Sequence, residues 1–339
     1  MTRARNAGTT FKPSALSHPK RTEGHSFLLS GVREGAGTVP EKRGKTTSRR
    51  LSPATDPEVT RIMKLTVEEL KQKAIELRQT ALTMIYEAQS GHPGGSLSSA
   101  DVIAALYFRE MNIDPKNPKW EDRDRFVLSK GHVCPILYAA LALRGFVPYE
   151  AIHTLRQYGS PFQGHPDMKK CPGIDISTGS LGQGLSCAVG MAIAGKRDGK
   201  SYRVFAMLGD GECQEGQIWE AAQAANKYRL DNLIVFVDDN NLQIDGTCDE
   251  VMPNLDLAQK FEAFGFETWR IDGHNLEEIV RTLDEVKSRK NGKPKCIVYK
   301  AVKGKGVSFM ENVADWHGKA PNEEEYRRAM EEIAGGLKP

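Results

Sequence analysis

One stretch, VFAMLGDGECQEGQIWEAAQAANKYRLDNLIVFVDDNN (204–241), narrows the possible folds more than any other. An apolar, β-branched run, Val204–Leu208, breaks at Gly209-Asp210-Gly211. A helical pattern over Gln217–Lys227 follows, then a second apolar run, Leu233–Val237, ending in Asp238-Asp239-Asn240-Asn241. Two short strands joined through a helix pack as a parallel pair with a crossover. The same alternation runs along the chain, with strands expected at Phe126–Leu128, Glu267–Ile271 and Cys296–Lys300. Further helices are expected at Leu185–Lys196, Leu257–Phe264 and Leu276–Arg289. Upstream, Thr66 and Glu69 form a capping-box pattern before an apolar stripe from Leu70 to Ala88 that Gly91 is expected to end. Ser98 and Asp101 offer a second cap before DVIAALYFREM. The pattern predicts an α/β domain, a doubly wound parallel sheet, over residues 63–335.

Charge separates that domain from what precedes it. Residues 1–62 carry twelve Lys/Arg against five Asp/Glu, whereas the rest carries 35 against 39. The first segment is rich in Gly, Pro, Ser, Thr and Arg and has no apolar periodicity, so it is expected to be a disordered basic tail. A mildly acidic body gives no reason to invoke nucleic acid. No apolar run reaches membrane-helix length and no secretory signal is visible at the start. The six cysteines form no CxxC pair, which points to reduced thiols and a cytoplasmic protein.

In an open α/β sheet, ligands bind beyond the carboxyl ends of the strands. Asp210 and Asn240 each follow a strand, so the fold brings them side by side at that edge. A carboxylate, an amide oxygen and a neighbouring backbone carbonyl suit a hard cation such as Mg²⁺, which keeps positions open for phosphate oxygens. Gly209 and Gly211 allow a diphosphate to approach the backbone. GDG alone is a common turn. GDG, 28 residues and then NN, each behind a strand, is far more specific.

That spacing resembles the thiamine diphosphate motif, and the chain is similar in particular to transketolases. SGHPGGSLS (90–98), FVLSKGH (126–132), QGHPD (163–167), STGSLGQGLSCAVGMAIA (177–194), DDNNLQIDG (238–246) and HGKAP (317–321) resemble that family's motifs, in its order. The resemblance implies that Asp210, Asn240 and the Leu242 carbonyl hold Mg²⁺, with Asn240 also touching the diphosphate. His132, Gly179, Ser180, Leu181, Gly209 and Gly211 would line the thiamine diphosphate, the loop 179–181 lying at a helix N-terminus that favours anions. His92, His317 and His165 would face the reacting sugar as proton-transfer or hydrogen-bonding groups. Glu215 resembles an acid that the family buries near a subunit interface. His274 reads as structural.

In the family, the glutamate that activates the cofactor, and the basic residues that hold sugar phosphate, lie in a second, pyrimidine-binding domain. No sequence for them follows HGKAP and the final helical stretch. The resemblance therefore implies an N-terminal transketolase subunit, working on sugar phosphates only with a separate C-terminal subunit, two copies of each. Two alternatives remain at this point: the alpha chain of a 2-oxo acid dehydrogenase or a synthase relative, and a non-catalytic assembly subunit.

Overall fold

A strand that is apolar on both sides must be covered on both sides, and the centre of this fold follows from that requirement. The computed structural model describes residues 64–335. The basic tail, residues 1–62, lies outside the described residues, as does Met63. Five parallel strands, β1 (Arg125–Leu128), β2 (Val204–Gly209), β3 (Leu233–Asp239), β6 (Glu267–Asp272) and β7 (Lys295–Lys300), form one sheet in the order β1-β2-β3-β7-β6. Alternate residues of the central strands enter two separate cores. Phe205, Met207, Ile234 and Phe236 pack on one side. Val204, Ala206, Leu208, Val235 and Val237 pack on the other.

The first core is closed by α1 (Val67–Ala88), α3 (Ala100–Ala105), α4 (Cys134–Arg144) and α9 (Leu276–Ser288). The second is closed by α5 (Gln183–Arg197), α6 (Gly216–Lys227) and α8 (Leu257–Ala263). With helices on both faces, the sheet is doubly wound, as the alternation of elements implied. Between β3 and α8 the chain makes an excursion: a short antiparallel ladder, β4 (Leu242–Gln243) with β5 (Gly246–Thr247), then α7 (Cys248–Val251). The last helix, α10 (Glu323–Gly335), lies against α1, with Tyr326 stacked on Tyr86 at 4.1 Å between ring centroids.

Two expected boundaries move. The capping box of Thr66 and Glu69 is present, but α1 ends at Gln89 rather than at Gly91. Gln89 adopts the left-handed conformation, φ 46°, and its N–H reaches back to the carbonyls of Ile85 and Tyr86. Ser98 does not cap a helix. It closes α2 (Pro93–Ser98), and its hydroxyl donates to the Gly95 carbonyl and to Asp238. α3 then passes into a π turn at Leu106–Glu110.

Candidate functional site

The parallel pairing of β2 and β3 sets Gly209 opposite Asp238, so the chain emerges from both strands at one edge. Asp210 follows directly and is only 2% exposed. One carboxylate oxygen accepts the Gly211 N–H at 2.7 Å and the other accepts the Asn241 N–H. The two turns are thereby tied together. Asn240 Oδ1 accepts the Leu242 N–H at 3.1 Å, and Lys303 Nζ donates to the Leu242 carbonyl at 2.8 Å. Asp210, Asn240 and Leu242, the expected metal-binding set, are thus brought to one place, all with oxygen donors. Among the described residues no group of three His, Cys, Asp or Glu side chains forms a closed metal centre. A cation held here takes mostly neutral oxygens, which suits Mg²⁺ completed by a ligand's phosphates. Burial, and next the charge of Asp238, push the Asp210 carboxyl up to about 6, against the pull of the Gly211 and Asn241 N–H groups. A bound cation would draw it back down.

Three of the expected histidines form a compact cluster. His132 sits in a turn between β1 and α4, His92 precedes α2, and His317 ends a turn before α10. Their ring centroids lie 5.0 Å apart for His92 and His132, 5.4 Å for His92 and His317, and 5.1 Å for His132 and His317. Burial lowers all three, His92 to about 4 and His317 to about 3, with Lys303 pushing both the same way. They are neutral imidazoles at physiological pH. His317 Nδ1 lies 2.9 Å from the Lys303 ammonium and so accepts from it, which leaves the ring proton on Nε2 as a donor. His165 stands beside this cluster: a Cβ on Gly179 would be 2.9 Å from its Cδ2, so the ring packs directly on the glycine loop.

That loop is shaped by backbone. Gly179 and Gly182 have φ 145° and 84°. Ser180 and Leu181 between them are exposed, and α5 starts at Gln183. A Cβ on Gly131 would meet the Gly179 nitrogen at 2.8 Å, so the His132 turn and the glycine loop touch backbone to backbone. Gly211 is half-open, and a Cβ there would approach Gln243 Oε1 at 3.1 Å. Gly209 is not crowded in this way, its nearest neighbour being Lys130 Cδ at 3.6 Å. Glu215 is exposed at the start of α6. The buried acid of this segment is Glu212, whose carboxylate accepts from the Ser129 hydroxyl, from Gly182 N–H at 2.9 Å and from Gly209 N–H at 3.2 Å.

Sequence reasoning missed the groups beneath the surface layer. Asp238 is fully buried and takes hydrogen bonds from Ser98 at 2.6 Å and Ser99 at 3.3 Å, and an ion pair from Lys130. Lys130 also donates to Ser99 at 2.9 Å. Removing one partner of such a pair strands a buried charge, at a typical cost of about 3–5 kcal/mol. Lys303 is 3% exposed and its ammonium is lowered to about 8, mainly by burial, while Asp210 and Asp238 act to raise it. Lys130 lies inside FVLSKGH and Lys303 inside the glycine-flanked KGKG, so position next to a motif was the available signal. His274 is structural, as expected: Nε2 accepts the Val302 N–H at 2.9 Å, so Nδ1 donates to Asp101 at 2.8 Å. An open groove of about 790 Å³ is lined by Asn240, Leu242, Arg270, His274 and Lys300.

A glycine-backbone loop, two buried lysines, three clustered histidines and a set of oxygen donors thus meet at the carboxyl edge of a doubly wound sheet. Residues 70–338 match the family described as transketolase, thiamine diphosphate binding domain. The chain belongs to the transketolase family and carries that domain. It is 48% identical over 265 residues to the 6-deoxy-6-sulfo-D-fructose transketolase subunit of Clostridium sp. (strain MSTE9), covering 78% of this chain and 96% of the relative. It is 43% identical over 268 residues to an apulose-4-phosphate transketolase subunit of Phocaeicola vulgatus, covering 79% and 95%. The mouse transketolase is 43% identical over 260 residues, but the match spans 75% of this chain and 40% of that protein. Among solved structures, the transketolase of Campylobacter jejuni superposes with a TM-score of 0.75 at 36% identity, over 80% of this chain and 43% of that one. The two alternatives, a 2-oxo acid dehydrogenase chain and a non-catalytic subunit, are not favoured by these matches.

Proposed function

We propose that this chain is the cofactor-binding subunit of a two-chain transketolase, which moves a two-carbon ketol unit from a ketose to an aldose. The observation that carries the reading is the convergence of His92, His132 and His317 with Lys303 and the Asp210–Asn240–Leu242 oxygens at one sheet edge. Thiamine diphosphate supplies the carbanion chemistry that lets a ketone carbon bond break and reform. Asp210, Asn240 and the Leu242 carbonyl would hold Mg²⁺, and Lys303 and the N–H groups at the start of α5 would face the diphosphate. His132 would position the cofactor. His92 and His317, held neutral by burial, would each offer an N–H as a hydrogen-bond donor to the sugar's carbonyl and hydroxyl oxygens, His317 from Nε2. His165, at the exposed rim, would bind the far hydroxyls.

The relatives of like length are named as transketolase subunits, and from those names we infer a second polypeptide that completes the site, with two copies of each chain. They are also named for 6-deoxy-6-sulfo-D-fructose and apulose 4-phosphate, so we infer a ketose with an anionic tail as the donor. A reducing, cytoplasmic setting is consistent with six unpaired cysteines, and among the described residues no helix is long and apolar enough to cross a membrane. Co-expression with the pyrimidine-domain partner and a ketol-transfer assay test the reading. Turnover that depends on thiamine diphosphate and Mg²⁺ is expected, with His92→Ala lowering kcat by roughly 10²–10⁴-fold. Full turnover by that variant would remove His92 from the reaction.

A further inference from the structure

The contacts that fix His274 lead into the site. Its loop follows β6, and the ring reaches two other elements. Nδ1 donates to Asp101 on α3 at 2.8 Å, and Nε2 accepts the Val302 N–H, just beyond β7, at 2.9 Å. Asp101 is buried and is also gripped by both terminal nitrogens of Arg78, on α1. Arg78 is fixed in turn, Nε donating to the Leu97 carbonyl at 3.2 Å. With a carboxylate so held as its partner, the imidazole keeps its proton on Nδ1 and presents a bare Nε2.

Val302 immediately precedes Lys303, whose ammonium donates to the Leu242 carbonyl at 2.8 Å and to His317 Nδ1 at 2.9 Å. The main chain pins this segment on either side. The Ala301 N–H donates to the Asp239 carbonyl at 3.1 Å, and the Gly304 N–H to the Gly94 carbonyl at 3.0 Å. Between those anchors the Val302 N–H is held by a side chain, the His274 imidazole. A lysine ammonium rides on a flexible four-carbon stem, so it meets two acceptors at once only from a fixed backbone. We propose that His274 is a positioning residue for Lys303, and through it for the diphosphate and for His317. The imidazole, oriented by Asp101, holds the Val302 N–H and so fixes the backbone from which the lysine reaches the site. Without that bond the peptide between Val302 and Lys303 is free to rotate, and the ammonium no longer meets both the Leu242 carbonyl and His317. This assignment rests on the reading above that sets Lys303 against the diphosphate.

The test uses the assembled two-chain enzyme and reads its affinity for thiamine diphosphate with Mg²⁺ by titration calorimetry. His274→Asn keeps a donor for Asp101 at the Nδ1 position but does not reach Val302. His274→Gln sets an amide oxygen near the Nε2 position and keeps an acceptor for the Val302 N–H. Affinity is expected to fall roughly tenfold or more in His274→Asn and to stay within about threefold in His274→Gln, since an indirect partner is worth about 10–100-fold. Hydrogen exchange at the Val302 amide should quicken in the first variant and not in the second. Lys303→Met should weaken binding by itself, and adding His274→Asn to it should cost nothing further, because the two act through one contact. Equal losses in His274→Asn and His274→Gln, an additive loss in the double variant, or unchanged affinity in His274→Asn would make His274 a packing residue and overturn the assignment. If His274→Asn does not assemble, His274→Gln decides: affinity within about threefold with the Val302 amide still protected supports the assignment, and a loss of about tenfold overturns it. Affinity unchanged by Lys303→Met would instead overturn the placement of that lysine at the diphosphate, and this assignment with it.

Discussion

Single residues here are held away from their ordinary ionisation, and two predictions follow from that. Asp210 is buried with its carboxyl pushed up to about 6, so its charged form at pH 7 weakens the cofactor-free fold. Asp210→Asn keeps the shape and removes the charge. The melting temperature without cofactor should stay level or rise by a few degrees, while affinity for thiamine diphosphate with Mg²⁺ falls at least about 100-fold, since even indirect metal partners are worth 10–100-fold. Titration calorimetry that finds wild-type affinity would remove Asp210 from the metal site. The histidines give the opposite sign of pH dependence. His92, at about 4, and His317, at about 3, lie below the value of about 6.5 that an unfolded histidine shows. Between those values the unfolded chain binds more protons, so this part of the stability is complete above pH 6.5 and is lost as the pH falls toward 4. Carboxylates such as Asp238, held low by Lys130 despite burial, add to the same acid loss. The double substitution His92→Asn, His317→Asn isolates the histidine share, and its melting temperature should fall less steeply from pH 7 to 5 than that of the unsubstituted chain.

At the scale of elements, the strands and long helices were legible because burial on both sheet faces writes itself as apolar runs. β2 was expected at Val204–Leu208 and is found at Val204–Gly209, and α9 was expected to run one residue beyond its end at Ser288. The loops of the site were legible only as motifs, because their shape comes from contacts between segments distant in sequence. Glu212 shows why: one carboxylate joins the ends of β1 and β2 to the glycine loop, and nothing in GDGE itself announces that. α4, almost wholly apolar, has little periodicity to read, and the insertion of β7 between β3 and β6 leaves no local signal at all. The contact between the His132 turn and the glycine loop can be tested with a matched pair. Gly131→Ala drives a methyl against backbone at 2.8 Å and should cost about 1–3 kcal/mol, with weaker cofactor binding. Gly190→Ala on α5 meets nothing within 4 Å and should stabilise the isolated chain by up to about 1 kcal/mol. Equal effects in thermal unfolding would show that the two loops can part without penalty.

At the scale of the whole molecule, the proposed reading makes this chain one side of an active site. Its buried acids near the histidine cluster are all engaged: Asp210 with the N–H groups of Gly211 and Asn241, Asp238 with Lys130, and Glu212 with the glycine loop. Among the described residues, none of these is left to face an aminopyrimidine ring beyond the histidines. The match to full-length transketolases such as the mouse protein spans 40% of their length, whereas the match to relatives named as subunits spans about 95%. The excursion between β3 and α8 also exposes Leu255 at 82%, Ile244 at 70% and Met252 at 57%, apolar surface that a second protein could cover. The purified chain is therefore expected to bind thiamine diphosphate weakly and to show no ketol transfer from xylulose 5-phosphate to ribose 5-phosphate. Adding the pyrimidine-domain subunit should restore turnover, and light scattering should then report two copies of each chain, a closed symmetric assembly. Replacing Leu255 and Met252 together by Ser tests where the partner sits, since neither side chain is needed for the core. Weaker assembly with an unchanged melting temperature of the isolated chain would place the interface on the excursion. Unchanged assembly would move the interface elsewhere, and full turnover by the isolated chain would mean that it completes the site without a second polypeptide.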